Sequence, residues 1–76
     1  MILTDKITDE QTIKKLMTQV YDALKEKGYN PITQLVGWIL TEDPTYITTM
    51  GNARSLVRNI DRDELIRILL EEYLSI

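Results

Sequence analysis

Three arginines, Arg54, Arg58 and Arg62, stand four residues apart late in the chain, a spacing that would align their guanidinium groups along one side of a continuous helix. Aligned guanidiniums suit phosphate, because each can donate two parallel hydrogen bonds to its oxygens, so the trio is a candidate phosphate-docking row. The plainer alternative is a salt-bridged surface with Asp61 and Glu64 as neighbours. Asp61, Asp63 and Glu64 in "DRDE" resemble a carboxylate cluster for a cation. Calcium loops, however, spread their ligands over about a dozen residues with a glycine at the turn, whereas acidic residues in a first helical turn serve as caps. Glu71 and Glu72 are adjacent, and on a helix they point about 100° apart, too far to act as a paired acid and base. Ser55 and Ser75 have no histidine to activate them, since the chain contains neither histidine nor cysteine. That absence removes the usual zinc ligands, the best nucleophile and the side chain that titrates near neutrality. No catalytic residue, metal or cofactor is expected, and the chain reads as a non-enzyme.

The elements that carry these residues must fit into 76 residues, which allow one domain with a small core. Without disulfides or metal, oligomerisation is the remaining means of support. The lack of cysteine fits a reducing cytoplasm. The opening "MILTDKITDE" is too charged for a signal peptide, and no apolar run approaches the roughly 20 residues that span a bilayer. No membrane insertion is expected. The net charge of −3 argues against nucleic acid as a partner, because sequence-independent binding needs clustered cations. All five lysines lie at or before Lys27 and all four arginines at or after Arg54.

The chain reads as helix after helix. From Asp9 to Lys27, Ile13, Leu16, Met17, Val20 and Leu24 gather on one stripe, with Thr8 and Gln11 in position for a capping box and Gly28 for a left-handed cap at the far end. Asn30 and Pro31 signal a second helix, Pro31 to about Leu40. Its core face is expected to be Ile32, Leu35, Val36, Ile39 and Leu40, with Gly37 allowing a neighbour close and Trp38 pointing elsewhere. Asp43-Pro44 repeats the Asn-Pro device and predicts a short helical turn through Tyr46 and Ile47, stopped by Thr48, Thr49 and Gly51. Asn52 is expected to cap a third helix, Ala53 to about Asn59, and Asp61 with Glu64 to open a fourth over Arg62 to Leu74. A helix-turn-helix over residues 43–60 is an alternative, which would make the chain a small DNA-binding or transcription-associated bundle. The acidic balance weighs against it.

The last helix carries Leu65, Ile66, Leu69, Leu70, Tyr73 and Leu74 over about half its circumference, more than one core requires. Together with the amphipathic tips of Trp38 and Tyr73, this predicts a homodimer interface formed by Trp38, Leu65, Ile66, Leu69, Leu70 and Tyr73. The expected architecture is all-α: a flexible tail over 1–8, then a compact bundle over 9–76 of four main helices and a short turn-helix, homodimeric. Thr4, and after it Thr8, precede the first helix and are the threonines most open to a kinase, whereas Thr33 and Thr41 fall within a helix.

Several of these pieces occur together in one known family. "VYDALKEKGYNPITQLVGWILTEDPTYIT", then "NAR" and "LVRNIDRDELIRILLEEYL", closely resemble the IreB-like small regulatory phosphoproteins of Gram-positive bacteria over about residues 20–74. The specific matches are "KGYNPI", "DP" with Tyr46, Ala53-Arg54 and Arg62-Asp63-Glu64. The resemblance implies a cytoplasmic, all-helical dimer without catalytic activity. It further implies phosphorylation on N-terminal threonines by a membrane-spanning Ser/Thr kinase, reversal by a phosphatase, and action on an unidentified downstream protein in cell-envelope stress or antibiotic-resistance signalling.

Overall fold

Each helix begins where a short polar side chain can accept a backbone N–H, except one. The computed structural model describes residues 6–76, with helices α1 (Glu10–Glu26), α2 (Pro31–Thr41), α3 (Ala53–Arg58) and α4 (Arg62–Leu74), and 3₁₀ turns at Pro44–Tyr46 and Met50–Asn52. Among the described residues there is no named strand. The cap of α1 is Asp9 rather than Thr8, its carboxylate accepting from the Thr12 N–H at 2.8 Å and the Thr12 hydroxyl at 2.7 Å. Asn30 caps α2 through the Thr33 N–H, and Asp43 caps the first 3₁₀ turn through the Thr45 N–H. Asp61 accepts from the Glu64 N–H, but the Glu64 carboxylate turns to Arg67, so only half of the expected capping box forms. Asn52 is the exception: it sits at φ 62°, outside the extended conformation an N-cap needs, and its side chain caps nothing.

The end of α1 is a Schellman motif. Gly28 takes φ 86°, its N–H bonds the Lys25 carbonyl at 3.1 Å, and the Tyr29 N–H bonds the Leu24 carbonyl at 2.9 Å. That reversal lets α2 pack back on α1. α3 lies against α1 as well, and Gly51 makes this close, since a Cβ there would stand 3.1 Å from the Cβ of Ala23.

The core comprises Ile13, Val20 and Leu24 of α1, Leu35 and Trp38 of α2, Ile47, Ala53 and Val57 around α3, Ile60, and Leu65 and Ile68 of α4. Two helices present faces other than those expected. In α2, Trp38 is only 2 % exposed, while Ile32, Val36 and Leu40 lie outside, Leu40 at 76 %. Because α2 is apolar on several sides, periodicity leaves its rotation open; the inward turn buries the tryptophan, the largest apolar surface available. In α4 the inward face is Leu65 and Ile68, leaving Leu69, Leu70, Tyr73 and Leu74 outside. Among the described residues no helix is long and apolar enough to cross a membrane.

Candidate interaction surface and modification site

The arginine row does not form. α3 stops at Arg58, Asn59 to Asp61 leave helical geometry, with Asp61 extended at φ −73°, ψ 113°, and α4 starts afresh at Arg62. A straight helix would have kept the three in phase; the break removes the periodicity on which their alignment depended. Arg54 instead closes the loop before α3, its Nε donating to the Ile47 carbonyl at 2.8 Å and a terminal nitrogen reaching the Thr45 carbonyl at 3.5 Å. Arg62 ties α4 to the end of α2, donating to the Ile39 carbonyl at 3.1 Å and pairing with Glu42 at 2.8 Å. Arg58 is exposed at the end of α3. The carboxylates are likewise committed locally: Asp61 caps α4, and Glu64 and Glu71 hold Arg67 from both sides, raising its pKa by accepting its hydrogen bonds, Glu64 first and then Glu71. Residues 43–60 contain two 3₁₀ turns and one six-residue helix, so the two-helix unit of a helix-turn-helix is not there.

The candidate interface residues divide in two. Trp38 and Leu65 are buried within the protomer and belong to its own core, and Ile66 is half-buried. Leu69, Leu70 and Tyr73 are exposed, Tyr73 at 86 %. Beside them in type, and missed by the sequence reading, stand Ile32, Val36 and Leu40, spaced four apart on the outer side of α2. Their fourfold spacing was visible in the sequence, but so was the competing assignment of the same residues to the core. A groove of about 430 Å³ runs between α1 and α4, floored by Ile13, Met17, Leu35, Leu65 and Ile68, with Glu10, Lys14 and Glu72 at its edges. Single exposed apolar residues are ordinary on a monomer, whereas a contiguous patch of them is a candidate association surface.

The candidate modification sites are Thr4 and Thr8. Thr4 falls outside the described residues. Thr8 is exposed, but the chain around it is not a free tail: Ile7 forms a parallel bridge with Ile60, its N–H donating to the Asn59 carbonyl at 2.6 Å and its carbonyl accepting from the Asp61 N–H at 3.0 Å. Lys6 Nζ adds a bond to the Arg58 carbonyl at 3.0 Å. The expected tail over 1–8 is therefore anchored at residues 6 and 7, where an apolar side chain finds the core beside Ile60. Asp9, immediately after Thr8, has its carboxyl pKa lowered by the Thr12 hydrogen bonds.

Comparison with known proteins shows the family of the chain. The chain matches the family described as "IreB regulatory phosphoprotein" over residues 1–75, a span that includes the N-terminal threonines as well as the bundle. A relative from Ruminiclostridium cellulolyticum, named "UPF0297 protein", is 57 % identical over 66 residues, covering 87 % of this chain and 75 % of the relative.

Proposed function

Since the chain belongs to the IreB family of regulatory phosphoproteins, we propose that it is a non-enzymatic cytoplasmic regulator phosphorylated at Thr4 and Thr8. Its modifying enzyme is a membrane-spanning Ser/Thr kinase, opposed by a phosphatase, and the protein modulates cell-envelope stress or antibiotic-resistance signalling through a downstream protein. The observation that carries this reading is the family match over residues 1–75, continuous from the threonines through α4. Phosphate adds nearly two negative charges and strong acceptor oxygens, enough to change what a small acidic protein can bind.

The working unit in this reading is a homodimer. Support comes from the outer faces of α2 and α4, where Ile32, Val36 and Leu40 and then Leu69, Leu70 and Tyr73 stand exposed on a protomer too small to cover them. Arg58, exposed beside the anchored N-terminal segment, is the member of the arginine trio best placed to meet a phosphate.

Incubation with the host's Ser/Thr kinase and labelled ATP, followed by site mapping, tests the assignment. Label on Thr4 and Thr8 is expected, and its loss from the variant carrying Thr4→Ala with Thr8→Ala. Equal labelling of that variant would place the sites elsewhere; no labelling of the wild type would sink the kinase-substrate reading.

A further inference from the structure

We propose that residues 6–8 form a latch against the turn between α3 and α4, and that Thr8 becomes a substrate only when the latch opens. This rests on the kinase-substrate reading above and adds to it a gate built into the fold. On one side of Thr8, both backbone groups of Ile7 are engaged, the N–H by Asn59 at 2.6 Å and the carbonyl by Asp61 at 3.0 Å, with Lys6 Nζ on the Arg58 carbonyl. The Ile7 side chain packs against the core, in register with Ile60, which is 1 % exposed. On the other side, Asp9 begins α1, its carboxylate on Thr12 and its carbonyl accepting from the Ile13 N–H at 2.9 Å.

Thr8 therefore offers an exposed hydroxyl on a backbone fixed at both neighbours. In phosphoryl transfer the threonine oxygen bonds to the γ-phosphorus of ATP as the bond to ADP breaks, and the hydroxyl proton passes to a carboxylate of the kinase. The acceptor oxygen must be held in line, which requires the residues around it to lie along the kinase cleft. In the closed latch those residues already pair with Asn59 and Asp61. The latch can open without unfolding the bundle, because among the described residues opening separates the Ile7–Ile60 bridge and a partly buried side chain while α1 to α4 keep their mutual packing. Modification of Thr8 then follows the population of the open form when opening is fast.

The bond between Lys6 and Ile7 supplies a readout that needs no kinase, since trypsin cleaves after lysine and also requires an extended segment. In the full chain, Ile7→Ala keeps every backbone donor and acceptor but removes the side chain that packs on the core. It should raise both cleavage after Lys6 and labelling of Thr8 by a common factor of roughly ten. Ile60→Val trims the latch's partner without touching the sequence around Thr8, and should raise both by a smaller common factor while the melting transition stays cooperative. Wild type cleaved after Lys6 as fast as Ile7→Ala would overturn the latch. Faster cleavage with unchanged Thr8 labelling would overturn the gate. Absence of label from every variant would overturn the kinase-substrate reading and the gate with it, while the tryptic comparison still decides whether the latch exists.

Discussion

A Cβ on Gly37 would lie 2.6 Å from Cδ1 of Tyr46, so the tyrosine ring of the first 3₁₀ turn rests directly on the backbone of α2. The glycine makes the close approach possible, and the Asp43 cap sets the turn that delivers the ring. Alanine would gain about 1 kcal/mol of helix propensity over glycine, against an overpacking cost of about 1–3 kcal/mol. Gly37→Ala should thus be neutral to destabilising in the wild-type background, and stabilising by about 1 kcal/mol when Tyr46→Ala has removed the ring. A double-mutant cycle by denaturant unfolding checks the change of sign.

At Gly28 the constraint is backbone strain alone, because nothing lies within 4 Å of where a Cβ would stand, while φ is 86°. Gly28→Val should cost at least about 1–2 kcal/mol through the left-handed conformation. Gly28→Asn should lose less, since asparagine tolerates that region. If valine leaves the urea midpoint unchanged, α1 does not end in this cap.

Asn30→Ala removes the acceptor for the Thr33 N–H and should lower stability by about 1 kcal/mol. Arg62→Ala should cost more than Glu42→Ala. The arginine also holds the partly buried Ile39 carbonyl, a charged bond worth about 1.5–3 kcal/mol, whereas its partner Glu42 is 70 % exposed and the ion pair is screened by salt. Thermal melts at low and high ionic strength separate the two contributions.

Acid should weaken two of the helical starts that an aspartate caps, those of α1 and of the first 3₁₀ turn. Hydrogen bonds from Thr12 lower the Asp9 pKa, and those from Thr45 lower that of Asp43. A depressed pKa in the folded protein means stability that is present above the ordinary aspartate value, about 3.9, and is lost as pH falls through the lower folded value. Asp9→Asn should therefore flatten the acid limb of a stability-versus-pH curve below about pH 4, with little change near neutrality. An unchanged acid limb would show that the Asp9 carboxylate is not held in this way.

Leu70→Glu and Leu65→Glu should behave differently although both replace a leucine of α4. Leu70 is exposed in the protomer, so a charge there should shift the sedimenting species from dimer to monomer and leave the helical content intact. Leu65 is buried, and a charge there should cost several kcal/mol, comparable to the whole stability of a small domain. A wild-type monomer at tens of micromolar would contradict the proposed dimer.

Local chemistry along the chain was enough to set the helical class, the starts at Asn30, Asp43 and Asp61 and the stop at Gly28, because caps, proline and glycine act on neighbours within about four residues, while Gly37 marked a place for a close approach without naming Tyr46 as the neighbour. Which side of α2 and α4 turns inward was decided only by packing. Both helices carry more apolar surface than the core can take, and the choice of Trp38 and Ile68 over Leu40 and Leu70 is made by the volume left between α1 and its neighbours. The anchoring of Ile7 on Ile60 likewise depends on residues about fifty positions apart meeting at one turn, a relation that no local spacing encodes.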